Sequence, residues 1–183
     1  GNDVTGLIRV NEYEGWDHGD MTAAVFDFDN DGDLDVYAVN GGALDSSITA
    51  RPPNALFRND RGHFSLLDKA AGAEDRSYGM GVAAGDIDGD GDLDLYIANF
   101  GANTLFRNDD SQFIDISQAS ATDDTLWGSS CAFADYDRDG DLDLYVANYV
   151  SYALTDANRE NTPYMSDLNS YEGNTEMGYP HPA

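Results

Sequence analysis

The chain has 183 residues, of which 41% are hydrophobic and 11% aromatic, enough apolar surface to fold as about one domain. Its formal net charge is -26, and Lys69 is the only lysine set against 35 acidic residues. Nucleic acid and anionic membrane surfaces are therefore poor partners, since both would be repelled, no apolar run approaches the roughly 20 residues that span a bilayer, and the single Cys131 cannot build a disulfide framework or a zinc ribbon.

Asp3-Val4-Thr5 reads as the last strand of a repeat unit, and residues 6–20 as a connection. DFDNDGDLDVYAVN follows from Asp27, with Asp27, Asp29, Asp31, Asp33 and Asp35 at every second position and then an apolar run. Like charges about 4 Å apart repel by on the order of 4 kcal/mol at an effective dielectric near 20, so a cation is expected among them. Residues 41–53 are rich in Gly, Ser and Pro and read as an inserted loop. The aspartate pattern returns in DIDGDGDLDLYIAN at Asp86, Asp88, Asp90, Asp92 and Asp94, and in DYDRDGDLDLYVAN at Asp135, Asp137, Asp139, Asp141 and Asp143.

A shift of 49 residues lays 54–99 over 103–148 without a gap, placing Asn54, Leu56, Phe57, Arg58 and Asn59 on Asn103, Leu105, Phe106, Arg107 and Asn108. Repeats of this length are the mark of stacked supersecondary units. Four short strands are expected per unit, in one case 80–86, 93–99, 103–108 and 112–117, with no helical period anywhere. The near-continuous Leu95-Tyr96-Ile97-Ala98 run suits a strand covered on both faces. The expected fold is all-β, a β-propeller segment of about three four-stranded blades. Its units are 1–53, 54–102 and 103–148, and 149–183 is a long loop leading to a further blade. Three blades do not close a ring that needs at least four, so the open edges are expected to continue in a longer chain or to be covered by another one.

Each loop reads D-x-D-x-D-G-x-x-D. Ca²⁺ takes about six to eight hard oxygen ligands, and such a loop offers side chains at positions 1, 3 and 5, a sharp glycine turn at 6, a backbone carbonyl at 7 and a closing acid at 9. On this reading Asp92, at position 7, ligates through its carbonyl and leaves its side chain in water. An EF-hand requires an acid at position 12, where this chain has Ala38, Ile97 and Val146, so the loop joins strands and not helices. Solvated acidity in a salt-adapted protein is the alternative. It does not account for Gly32, Gly91 and Gly140 at one place in all three copies.

YGMGVAAGDIDGDGDLDLYIANF, residues 78–100, resembles the FG-GAP (VCBS) repeat of integrin α-subunit propellers. Its coupling to N-x-L-F-R-N resembles secreted proteins of the cartilage acidic protein (ASPIC/UnbV) group. The resemblance implies a β-propeller, usually of seven blades, with Ca²⁺ between the first two strands of a blade. By position it carries metal-binding roles to Asp27, Asp29, Asp31, Asp33 and Asp35, to Asp86, Asp88, Asp90, Asp92 and Asp94, and to Asp135, Asp137, Asp139, Asp141 and Asp143, for about three ions. The Gly-Ala-Pro end of the name motif is replaced by Val39-Asn40-Gly41, Ala98-Asn99-Phe100 and Ala147-Asn148-Tyr149.

The expected role is that of an extracellular or cell-surface binding, adhesion or assembly module, with a protein or carbohydrate ligand held by the insertions 41–53 and 149–183, the latter carrying Tyr152, Tyr164, Tyr171 and Tyr179. Membrane insertion is not expected. Self-association through open blade edges into a filament, or service as a non-catalytic module of a secreted enzyme, are the alternatives. Catalysis is not expected: His18, His63 and His181 are scattered, and no nucleophile elbow or phosphate loop occurs. Arg58 and Arg107 recur at one blade position and read as structural, and Cys131 reads as a small buried core residue.

Overall fold

The computed structural model describes residues 22–41 and 52–149. Over these the chain forms antiparallel sheets of four, four and two strands. The first contains β1 (Thr22–Phe26), β2 (Asp35–Val39), β3 (Ala55–Asp60) and β4 (His63–Leu66). The second contains β5 (Tyr78–Gly85), β6 (Asp94–Phe100), β7 (Thr104–Asn108) and β8 (Phe113–Asp115), and the third β9 (Gly128–Ala134) and β10 (Asp143–Asn148). Strands pair in sequence order in both four-stranded sheets, which is the meander of a propeller blade. The features expected in residues 1–21, 42–51 and 150–183, including His18, His181 and most of both insertions, lie outside the described residues.

The pairing register places every aspartate loop at the mouth of a hairpin. Phe26 faces Asp35, Gly85 faces Asp94 and Ala134 faces Asp143. The expected fourth strand at 112–117 is shorter than its sequence suggests. β8 stops at Asp115, whose carboxylate accepts the Ser117 N–H at 2.9 Å, and Ser117–Ser120 then turn as a short helix, α1. A side chain that bonds its own backbone two residues on competes with the strand ladder, and one helical turn is too short to leave a period in the sequence.

Packing explains why the second strand of each blade is apolar on both faces. Leu95 and Ile97 of β6 join Tyr37, Val39 and Leu56 of the first sheet in one buried cluster with Phe106 and Phe113. Tyr96 and Ala98, one residue out of phase, turn the other way onto Cys131, Phe133, Leu144 and Val146 of the third sheet. Each of these large apolar side chains contributes about 1.5–3 kcal/mol by leaving water. Close approach between sheets is set by glycine: a Cβ on Gly81 of β5 would lie 2.9 Å from the Ser130 Cα of β9. Cys131 is half-buried, less enclosed than expected. Its thiol donates toward the Tyr96 carbonyl at 3.6 Å, and burial pushes its pKa up to about 11.

Repeated polar ties lock the blades to the linkers on either side of them. The Tyr37 hydroxyl donates to the Ala73 carbonyl at 2.7 Å, and Tyr96 to that of Thr122 at 3.0 Å. Burial pushes the Tyr96 phenol up to about 12 and the Tyr37 phenol higher still, so both remain protonated donors. At the end of the second strand, the Asn40 and Asn99 N–H groups donate to Oδ1 of Asn54 and Asn103, both at 2.7 Å. Asn99 Nδ2 then reaches Asp75 at 3.0 Å and Asn148 Nδ2 reaches Asp124 at 2.8 Å. The 49-residue register carries Asp75 onto Asp124, so the repeat itself holds the signal for this pair.

Candidate metal centres

The loops between the first two strands are built by their own aspartates. At position 1, Asp27 accepts the N–H groups of Asp31 (3.2 Å) and Gly32 (3.0 Å), and Asp86 those of Gly89 (2.8 Å) and Gly91 (3.1 Å). Asp135 accepts that of Gly140 at 3.3 Å. At position 5, Asp31, Asp90 and Asp139 accept the N–H two residues on at 2.8–3.0 Å. The glycine at position 6 answers a backbone need and not a lack of room: Gly32, Gly91 and Gly140 have φ of 92°, 96° and 102° with nothing within 4 Å of a Cβ.

Position 9 is the structural anchor. Asp35 and Asp94 are buried, and each divides its two oxygens between a loop N–H and an outer-strand N–H. Asp35 takes Phe28 (2.9 Å) and Asn59 (2.7 Å), and Asp94 takes Ile87 and Asn108 (both 2.8 Å). Asn59 Nδ2 and Asn108 Nδ2 also donate to the Leu34 and Leu93 carbonyls at 3.0 and 3.3 Å. The last Asn of N-x-L-F-R-N therefore works as a bracket behind the aspartate loop, which accounts for the coupling of the two motifs in sequence.

The acid at position 7 corrects one sequence expectation. Its side chain does not stand in water: Asp33 accepts the Arg61 N–H and Asp92 the Asp110 N–H, both at 2.8 Å. These donors lie in the turn between the third and fourth strands, which returns to the same end of the blade as the loop. Hairpin order alone could show that the turn comes back there, but not that its N–H points at the carboxylate.

Three carboxylate groups gather from each loop, with ligand atoms within 4.8 Å of one another: Asp27, Asp29 and Asp35; Asp86, Asp88 and Asp90; Asp135, Asp137 and Asp143. Two of them hold position 9 and one holds position 5. Asp29 Oδ1 is shielded from solvent and accepts no hydrogen bond. Burial raises the Asp29 pKa, and the Asp31 charge raises it further. Burial likewise raises Asp35 and Asp94 against the two N–H bonds that each receives. Desolvated, mutually repelling oxygens on a glycine-turned loop fit a hard cation that prefers oxygen ligands. Arg107 makes two 2.8 Å bonds to Asp109 and lies 3.9 Å from Asp88, so its recurring position places a fixed positive charge beside the loop. His63 is exposed.

The profile of the FG-GAP-like repeat matches residues 27–97 and 86–146, each window opening on the first aspartate of a loop. The chain belongs to the FG-GAP-like repeat family. No curated protein matches it. FG-GAP repeats form β-propeller-like modules and are generally non-catalytic, in keeping with sheets of four, four and two strands and almost no helix among the described residues. The narrower likeness to the cartilage acidic protein group stays with N-x-L-F-R-N, whose asparagines serve the fold as described above.

Proposed function

We propose that this FG-GAP-like repeat chain is a calcium-stabilised β-propeller segment of a secreted or cell-surface protein, and that it acts as a scaffold for binding, adhesion or assembly. The observation that carries the calcium reading is Asp29 Oδ1, buried and without a hydrogen bond among converging carboxylates. Position 1, 3, 5 and 9 carboxylates and the position 7 carbonyl of each loop would hold the ion. Bound Ca²⁺ would neutralise part of each loop and stiffen its hairpin. FG-GAP repeats are typically extracellular, and no helix among the described residues is long and apolar enough to cross a membrane. Recognition of a protein or carbohydrate falls to the segments 41–53 and 149–183, because long loops on a rigid scaffold are the usual seat of binding.

The test is a calorimetric titration of EDTA-stripped protein with CaCl₂ while its melting temperature is followed. About three ions should bind per chain, each site adding about 2.7 kcal/mol of stability at a hundredfold excess over Kd. No binding, with stability set by bulk salt alone, overturns the reading. For recognition, a panel of immobilised glycans and matrix proteins should retain the calcium-loaded chain. Retention unchanged after deletion of 42–51 and 150–183 would remove those segments from the binding role.

A further inference from the structure

The first two aspartate loops touch each other, and they do so through the halves that matter for ligation. Asn30, at position 4 of the first loop, donates from Nδ2 to Asp92 Oδ1 at 2.7 Å and reaches the Gly91 carbonyl at 3.4 Å, at positions 7 and 6 of the second loop. Asn108, whose N–H holds Asp94 at position 9 of the second loop, donates from Nδ2 to the Phe28 carbonyl, at position 2 of the first, at 2.9 Å. Two side-chain bridges therefore cross the blade boundary, Asn30 from the first loop directly to the second and Asn108 from β7, behind the second loop, back to the first.

From this contact we infer that the first and second loops bind their cations cooperatively, and that Asn30 carries the coupling. The inference rests on the calcium reading above. Asn30 lies between Asp29 and Asp31, so ordering those two carboxylates fixes the backbone that aims its amide. That amide holds residue 92, whose own carbonyl is a ligand of the second loop, so an ordered first loop presents an ordered second one. Linkage makes the effect reciprocal. Each loop has five acids, and one divalent ion leaves it net negative, so repulsion between neighbouring ions does not dominate.

The same position shows why the third loop stands apart. Position 4 is left-handed in all three loops, with φ of 55° at Asn30, 76° at Gly89 and 65° at Arg138. Gly89 has no side chain to extend to Asp141, so the bridge made by Asn30 is not repeated from the second loop to the third. The pattern expected is one coupled pair and one independent site.

The experiment titrates CaCl₂ into the full chain carrying Asp137→Ala, which leaves the first two loops, with and without Asn30→Gly. Glycine already occupies this left-handed position in the second loop, so the backbone is kept. The parent should bind two ions with a Hill coefficient above 1. Asn30→Gly should bind two ions without cooperativity and with affinity lower by about fivefold, the lower end of typical coupling. Asn30→Asp, which sets a like charge against Asp92, should weaken binding further, and serves if the glycine variant fails to fold. Identical constants in all three proteins would overturn the coupling while leaving the calcium sites standing. Absence of binding in every protein would overturn the sites themselves, and the coupling with them.

Discussion

The aspartates of one loop look alike in sequence and do different work in the fold. Asp94 is held at 1% exposure and satisfies the N–H groups of Ile87 and Asn108, whereas Asp90 is exposed and bonds only within its own loop. Removing the first strands two donors in the interior, and an unsatisfied buried donor costs about 1–3 kcal/mol. Asp94→Ala should therefore lose about 2–5 kcal/mol in urea unfolding without calcium, with Asp90→Ala losing under about 1 kcal/mol in the same buffer. Equal losses would mean that position 9 serves the ion alone. The alternation D-x-D-x-D-x-D-x-D made all five positions legible as one motif. It could not rank them, because burial of the ninth is imposed by strands β3 and β7, which approach from 24 and 14 residues away.

At the scale of elements, the strand pattern was the most legible part of the chain. The expected strands 80–86, 93–99 and 103–108 fall within two residues of β5, β6 and β7. β6 was recognisable because a strand packed on both faces needs no polar alternation. Less visible was the reason for Gly-x-Gly at 79–81, where β5 carries a register shift and lies against its neighbours on both sides. The Ser130 Cα that a Gly81 Cβ would meet is backbone and cannot swing away. Gly81→Ala should cost about 1–3 kcal/mol from overpacking between blades, read as a lower urea midpoint. A midpoint within error of the parent would show that the second and third sheets separate easily. α1 leaves no mark in the sequence because its four residues follow from the Asp115–Ser117 contact and not from any periodicity.

For the whole molecule, charge opposes the compact state. The net charge of -26 repels itself, and burial has raised Asp29, Asp35 and Asp94 above the ordinary carboxylate value of 3.8. A raised folded-state pKa means that the folded chain binds protons more tightly than the unfolded one. Stability then falls as pH rises from 3.8 through the raised values, and recovers as pH is lowered through the same window. Metal-free protein should accordingly melt at a higher temperature near pH 5 than at pH 7, and saturating CaCl₂ should narrow or reverse that difference, since protons and the ion compete for the same oxygens. A calcium-free melting temperature that rises steadily with pH would contradict this assignment of the buried carboxylates.

The amino-acid sequence by itself determined the repeat, its 49-residue register, the sheet class and the position of each aspartate loop between two strands. Those features are local or periodic: alternation, turn glycines and β-branched or aromatic runs act on the few residues around them. Only the tertiary structure decided which oxygens converge, that Asp33 and Asp92 are engaged by the opposite turn, and that Asn30 reaches across to the second loop. These depend on how neighbouring blades approach, a distance set by Gly81 and by side chains pointing from β6 into two separate cores. No window of sequence contains both sides of such a contact, because its partners lie up to 80 residues apart and are brought together by packing.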